Sequence, residues 1–232
     1  MKNALVDFRI SETEEKNLNK IGYNCIKCPP SEKLLDAVKG HPDMLLNVVD
    51  NKNIMVHKDM ESGFVNLLKD LKKNVYYSQK SLSKKYPSDI ILNALNAGSY
   101  FVHNLKYSDK NLLKFFENKV RINVKQGYTK CSTAVVSEKA AITSDKGIGY
   151  ALRALSFDVL LLPPGDILLP GMNYGFIGGT CGLTSDNRMI FYGNLTNYAY
   201  GKEVLEFLNK YNITPIYLGD GKLIDRGSIF FI

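Results

Sequence analysis

The chain has 232 residues, 45% of them hydrophobic, and a formal net charge of +7 at pH 7. This length predicts one domain with a sizeable core, because no Pro/Ser-rich linker divides the sequence. No apolar run approaches the length that a bilayer requires, which excludes a helical membrane protein. Charges interrupt the first apolar stretch, so we expect no cleavable signal and a cytoplasmic location.

The positive charge is spread along the chain and interleaved with Asp and Glu. This pattern is typical of a solvated surface, and no aromatic residues alternate with the lysines as in a nucleic-acid platform. Nucleic acid is therefore not an expected partner, whereas a homo-oligomer is compatible with the sequence. Cys25 and Cys28 lack a second pair of ligands, so we interpret them as buried thiols and expect no metal.

A hairpin pattern recurs about five times. Residues 43–57 match residues 89–103 without a gap, with Asp, Asn, Val and His in register. Fainter copies cover residues 130–144, 178–192 and 226–232. Repeats near this period indicate stacked or radial units, none of which buries its apolar face alone.

Apolar spacing predicts the same order of elements in every unit: two strands, a helix and a third strand. Ser11 and Glu14 form a capping box before the first helix. In chain order we predict strand 4–9, helix 12–20, strand 23–28; strands 44–49 and 54–57, helix 61–72, strand 75–77; strands 90–95 and 100–102, helix 109–118, strand 120–124; strands 132–136 and 140–143, helix 147–155, strand 158–162; strands 181–184 and 189–192, helix 201–211, strand 214–218; and strand 228–232.

The two ends of the chain complete one unit together. The predicted fold is α/β, a single domain (1–232) forming a five-bladed propeller of ββαβ units, closed by pairing of the N- and C-terminal segments. The units cover about 41–80, 87–125, 128–165, 175–218, and 219–232 plus 1–30. Such closure leaves no orphan sheet edge.

A ring of five ββαβ units resembles the pentein fold of arginine deiminases, amidinotransferases and dimethylarginine dimethylaminohydrolases. Three segments are similar to an uncharacterised bacterial family of that fold: Gly40-His-Pro-Asp43, Lys125-Gln-Gly-Tyr-Thr-Lys-Cys-Ser132 and Tyr174-Gly-Phe-Ile-Gly-Gly-Thr-Cys-Gly182. The resemblance implies an active site where the first strands of the units begin. It also implies hydrolase or transferase chemistry on C–N bonds, without a cofactor.

One element of the pentein enzymes is missing. They use a cysteine at the start of the first strand of the final unit, where the register of this chain has Gly227, and no cysteine follows Leu183. Cys131 is the only thiol in the equivalent inner positions. Beside Lys130, with His41 as base, it could act as the nucleophile; the alternative is a small buried strand residue. The register places His57 and His103 at the same end.

Equivalent positions at the first-strand starts are Asp43, Asp89, Lys130, Gly178 and Arg226. The two carboxylates favour a cationic group, and Lys130 and Arg226 favour an anionic one. With Gly179 and Thr180 as backbone contacts, this set predicts a site for a small zwitterionic or guanidino-type ligand. A structural plug, in which the charges pair with each other, is the alternative.

Two functions therefore remain open. The first is binding of a small molecule, with hydrolysis or transfer through Cys131 and His41. The second is a non-catalytic module that binds a protein or ribonucleoprotein partner, as a pentein-like translation initiation factor does.

Overall fold

Five three-stranded sheets and six α-helices are formed by residues 2–232, the part of the chain that the computed structural model describes. The helices are α1 (Glu12–Lys20), α2 (Pro42–Leu45), α3 (Ser62–Asp70), α4 (Lys110–Phe115), α5 (Lys146–Arg153) and α6 (Gly201–Lys210). The strands are β1 (Lys2–Asp7), β2 (Tyr23–Cys28), β3 (Leu46–Val48), β4 (Asn53–Val56), β5 (Asn74–Tyr77), β6 (Leu95–Ala97), β7 (Tyr100–His103), β8 (Val120–Asn123), β9 (Thr133–Ser137), β10 (Ala140–Thr143), β11 (Asp158–Leu161), β12 (Cys181–Leu183), β13 (Arg188–Phe191), β14 (Thr214–Tyr217) and β15 (Phe230–Phe231).

Every sheet has the same construction. A middle strand pairs antiparallel with the first strand of its unit and parallel with the strand that follows the helix, as in β3-β4-β5 and β12-β13-β14. The predicted ββαβ unit and the pentein-like α/β fold are confirmed. None of the helices within residues 2–232 has the length and apolar content needed to cross a bilayer.

Local sequence signals explain where the helices begin. Ser11 Oγ accepts a hydrogen bond from Glu14 N (3.2 Å), and Glu14 Oε2 accepts one from Ser11 N (2.8 Å), which confirms the predicted capping box. Asp109 and Asp145 are the N-caps of α4 and α5, and their side chains accept hydrogen bonds from backbone N–H groups of the first turn. The helices then bury one apolar face, such as Leu18 of α1, against the sheet of their unit.

The two terminal segments share one sheet. Ala4 pairs with Phe231 and Leu5 with Phe230, so β15 lies antiparallel to β1 and completes the fifth unit. The predicted terminal pairing is confirmed. The five sheets themselves stay separate and do not join into a closed sheet within the described residues.

Neighbouring units meet through hydrogen bonds around a common axis, where their first strands begin. The contacts pass from unit to unit and return to the first. They are Asp43 N to Gly227 O (3.1 Å), Asn93 Nδ2 to Asp43 O (3.1 Å), Lys130 N to Asn93 O (3.1 Å), Gly179 N to Cys131 O (3.0 Å) and Ser228 N to Gly179 O (2.9 Å).

The innermost segments depart from the prediction. Residues 42–45 form the short helix α2 instead of the start of strand 44–49, and residues 90–94 form turns, so that β6 begins only at Leu95. The reason is local: Met44 N bonds to His41 O and Asn93 N to Ile90 O. These backbone groups are satisfied by turns, which an apolar pattern alone does not reveal.

We expect removal of residues 228–232 to abolish cooperative folding. It deletes β15, exposes the edge of β1 and removes Ser228 from the axis. Thermal unfolding followed by circular dichroism, with light scattering for aggregation, checks this, and Lys2→Ala at the exposed end of β1 is the control. A truncated protein with an unchanged melting temperature would contradict the assigned role of β15.

Candidate functional site

A cavity of about 370 Å³ opens at the end of the axis where the first strands begin. We call it the acidic cavity, because its ionisable lining consists of Asp89, Asp225, His41, Cys131 and two tyrosines. Its remaining walls come from residues 35–44 and 169–176. They are Leu35, Val38, Met44, Leu169, Gly171, Met172, Asn173 and Phe176, with Tyr128 and Tyr174 as the two tyrosines.

Asp89 presents one oxygen without a partner. Tyr128 Oη donates to Asp89 Oδ2 at 2.6 Å, whereas Oδ1 is buried and accepts no hydrogen bond within the described residues. Burial raises the pKa of Asp89, and the Tyr128 hydrogen bond partly opposes this shift. The side chain thus has one oxygen held by Tyr128 and a second, buried oxygen without a partner.

Asp225 is the second carboxylate of the cavity, and the sequence analysis did not identify it. Oδ2 accepts from Phe176 N (2.8 Å) and Oδ1 from Gly227 N (2.9 Å), while burial raises its pKa. Gly179 packs against it so closely that a Cβ would overlap the carboxylate oxygen. The glycine is therefore required by Asp225, not by a ligand that approaches its backbone; its N–H already donates to Cys131 O and Phe176 O.

His41 lies between two carboxylates. Its Nδ1 is 3.7 Å from Asp225 Oδ1, and its Nε2 is 3.9 Å from Asp7 Oδ2. Both distances exceed a hydrogen bond, and neither ring nitrogen has another partner within residues 2–232. Arg9 holds Asp7 through its backbone N–H and guanidinium. The imidazole therefore has two carboxyl neighbours and, among the described residues, no hydrogen-bond partner for either ring nitrogen.

Cys131 is positioned by Asn93. Asn93 Nδ2 lies 2.9 Å from Cys131 Sγ, and Asn93 Oδ1 accepts from Cys131 N at 3.2 Å. Burial raises the pKa of the thiol well above its ordinary value, and the charges of Asp43 and Asp225 raise it further. Lys130 Nζ donates instead to Ser228 Oγ and Gly178 O, so activation of this thiol by Lys130 stays a prediction from the sequence.

Lys130 and Asp43 do not line the acidic cavity. Lys130 Nζ donates to Ser228 Oγ at 2.9 Å, and the same hydroxyl lies 2.7 Å from Asp43 Oδ2. Asn93 Nδ2 contacts Asp43 Oδ1 at 3.2 Å. For these two residues the geometry matches the plug alternative, with Ser228 as the bridge.

Arg226 and Thr180 also lie elsewhere. Arg226 forms an ion pair with Glu14 (3.1 Å) and donates to Arg9 O, which places its guanidinium beside the first helix. Thr180 is buried and donates to Ile177 O at 2.7 Å. Neither residue lines the acidic cavity, and each satisfies groups of its own unit, so a role of either residue in ligand binding stays a prediction from the sequence.

The other two histidines are separate from the acidic cavity. His103 is bonded to Ser108 Oγ (2.6 Å) and Gly127 O (2.9 Å), and His57 lines a different cavity with Lys33 and Asp59. Burial lowers the pKa of both imidazoles to about 4, so both are neutral at pH 7. Within residues 2–232 no three His, Cys, Asp or Glu side chains are grouped as a metal site.

A model of a family of unknown function, DUF6873, matches residues 5–230. The chain belongs to this family. No curated protein matches the chain. The segments that predicted an uncharacterised family of the pentein fold thus indicated the correct relationship.

Solved structures share the fold of this DUF6873 protein at low identity. Agmatine deiminase of C. jejuni with bound substrate has a TM-score of 0.56 at 11% identity, covering 99% of this chain and 92% of that one. The amidinotransferase SxtG of Microseira wollei has 0.54 at 10%, covering 94% and 88%. The DDAH of Pseudomonas aeruginosa with citrulline has 0.53 at 9%, covering 93% and 91%. At this identity the likeness establishes the pentein fold alone.

Asp89→Asn tests whether the buried carboxylate of Asp89 lowers the stability of the folded protein. A raised pKa in the folded state means that the folded protein binds more protons than the unfolded one. The free energy of unfolding of the wild type should therefore fall, relative to the variant, as the pH rises from about 4 through the raised pKa. Urea denaturation between pH 4.5 and 8 measures this.

Asp220→Asn, at an exposed position, should follow the wild type at every pH. A variant several kcal/mol less stable than the wild type at pH 8 would instead assign Asp89 to structural pairing with Tyr128.

Proposed function

We propose that the acidic cavity binds a small organic cation, a guanidinium or a substituted ammonium ion. One observation carries this proposal: Asp89 and Asp225 both line the cavity, and none of its lining residues is Lys or Arg. Two buried carboxylates without a Lys or Arg partner are costly, and a bound cation compensates their charge.

The lining suits a planar cation in detail. Among residues 2–232, Asp89 Oδ1 has no partner and each oxygen of Asp225 accepts only one hydrogen bond, so acceptor sites remain for the N–H donors of a guanidinium. Tyr128 and Phe176 stack with ring centroids 6.3 Å apart and offer aromatic faces to the positive charge.

The geometry narrows the predicted ligand class. The zwitterion prediction needed Lys130 and Arg226 on the opposite side of the same opening, and both cations have partners elsewhere. A ligand carboxylate in the cavity would meet two carboxylates and no cation. We therefore infer that the ligand is an alkyl guanidine or amine without a carboxylate.

We extend the proposal to covalent chemistry at Cys131, supported by the thiol and His41 lining the same cavity. His41 takes the thiol proton, the sulfur adds to the guanidinium carbon, and a C–N bond breaks as the leaving amine receives the proton from His41. Water or an acceptor amine then releases the carbon from sulfur. The bound cation itself offsets the charges of Asp43 and Asp225, which favours the thiolate.

Propylguanidine should bind in preference to neutral propylurea and to 4-guanidinobutyrate. Its affinity should rise with pH, because Asp89 and Asp225 must lose protons to pair with it. Asp89→Asn should weaken binding by about 2–5 kcal/mol, as for a lost buried charge pair, and the exposed Asp220→Asn should not. Isothermal titration calorimetry measures both.

Equal affinity for propylurea, or an unaffected Asp89→Asn variant, would contradict the cation site. If no organic cation binds at all, the interaction-module alternative gains.

Covalent reactivity gives a separate test of Cys131. The cationic electrophile 2-chloroacetamidine should alkylate Cys131 faster than the neutral 2-chloroacetamide of the same shape, because the cation is drawn to the two carboxylates. Mass spectrometry of tryptic peptides reports the labelled cysteine, with the half-buried Cys25 as internal control. Asp89→Asn should reduce the preference for the cation. If the ratio of alkylation rates, cationic over neutral reagent, is no larger at Cys131 than at Cys25, Cys131 has no part in the proposed site.

A further inference from the structure

A second cavity of about 240 Å³ lies at the opposite end of the axis. The first strand of every unit contributes to it, with residues further along the strand than those near the acidic cavity. These residues lie within 47–48, 94–96, 134–135, 181–183 and 229–231. We call it the Lys130 cavity, because Lys130 is the only lining residue with a charged side chain.

The ammonium group of Lys130 has no direct counter-ion. Its Nζ donates to Ser228 Oγ (2.9 Å) and Gly178 O (3.4 Å), and no carboxylate oxygen within residues 2–232 forms an ion pair with it. An ammonium has three donors, so one remains unused. The charge also lies 5.4 Å from the centroid of Phe230. A half-buried cation that lines a cavity and retains an unused donor can bind an anion there.

The rest of the lining limits what the anion can be. The walls are mostly aliphatic and aromatic side chains, among them Val48, Ala134, Leu183 and Phe231, with only two side-chain amides, of Asn47 and Asn96. Both amides donate their N–H groups to backbone carbonyls of the neighbouring unit. One charged contact therefore remains within an apolar enclosure, which suits a single carboxylate on a short apolar body better than a phosphate or a dicarboxylate.

From this arrangement we propose that the Lys130 cavity is a second ligand site, which binds a small monocarboxylate with a short aliphatic or aromatic body. The carboxylate accepts from Lys130 Nζ, and the body packs on Val48 and Phe231. The site is independent of the acidic cavity, since Ser228 and Asp43 fill the axis between them.

Benzoate and 4-methylpentanoate are the probes, with benzamide and 4-methylpentanamide as neutral matches. Titration calorimetry and saturation-transfer NMR on the full chain should detect both carboxylates and neither amide. Lys130→Met keeps the apolar stem but removes the charge, and should weaken binding at least tenfold. The exposed Lys146→Met should bind as the wild type does.

Lys130→Met also removes a hydrogen bond to Ser228 and could therefore disturb the fold. A second variant distinguishes a lost binding contact from a disturbed fold. Val48→Asp adds a negative charge at a half-buried lining position and should abolish carboxylate binding while leaving propylguanidine binding unchanged. Carboxylate affinity that is unchanged in Val48→Asp, equal binding of the amides, or no binding of either carboxylate would overturn the proposal. If the wild type binds the carboxylates but not propylguanidine, the cation site is rejected and the carboxylate site is not.

Discussion

The structure depends on how the innermost strands satisfy their free edges. Each first strand has only one neighbour in its own sheet, so its other edge carries backbone N–H and C=O groups that face the axis. Buried groups of this kind must be paired. Because five sheets converge there without merging, every unit has to supply hydrogen bonds to the next, and the position of each functional side chain follows from that requirement.

Two chemical solutions occur around the ring. Between the first two units, asparagine amides reach across: Asn47 donates to Leu92 O and Ala94 O, and Asn93 donates to Asp43 O. Between the later units, glycines let the backbones approach, since a Cβ at Gly178 would overlap Lys130 O and one at Gly182 would overlap Ile229 O. The repeated asparagines and the glycines that stood out in the sequence are therefore explained by closure of the units.

The difference between contacts within one unit and contacts between units also explains which elements the sequence could predict. Helix α1, strand β2 and the outer hairpins follow apolar periodicity and capping signals, which act within one unit, and their bounds were predicted closely. The segments at 42–45 and 90–94 form local turns that also bond to neighbouring units, through Asp43 N to Gly227 O and Asn93 Nδ2 to Asp43 O, and apolar periodicity encodes neither kind of contact. The same holds for the site. The repeat register selected Asp89 and Cys131, which line the acidic cavity, but it also selected Arg226 instead of its neighbour Asp225. The left-handed backbone at Gly227 (φ 70°) and Ser228 (φ 72°) departs from the regular strand that the register assumes there.

Within the described residues, the final unit has no side chain free to react near the position of the pentein nucleophile. The pentein resemblance expects a nucleophile near the start of the last first strand, and the side chain there is the hydroxyl of Ser228. That hydroxyl is buried between Lys130 and Asp43 and lines neither cavity. The hydroxyl bridges Lys130 and Asp43 and fills the axis between the two cavities, so no single ligand contacts both of these charged side chains. The carboxylates left with open acceptor sites are Asp89 and Asp225, and the thiol that shares their cavity belongs to the third unit. Under the proposed function, the reactive thiol is therefore Cys131 of the third unit, and the final unit supplies Asp225 to the same cavity instead of a nucleophile.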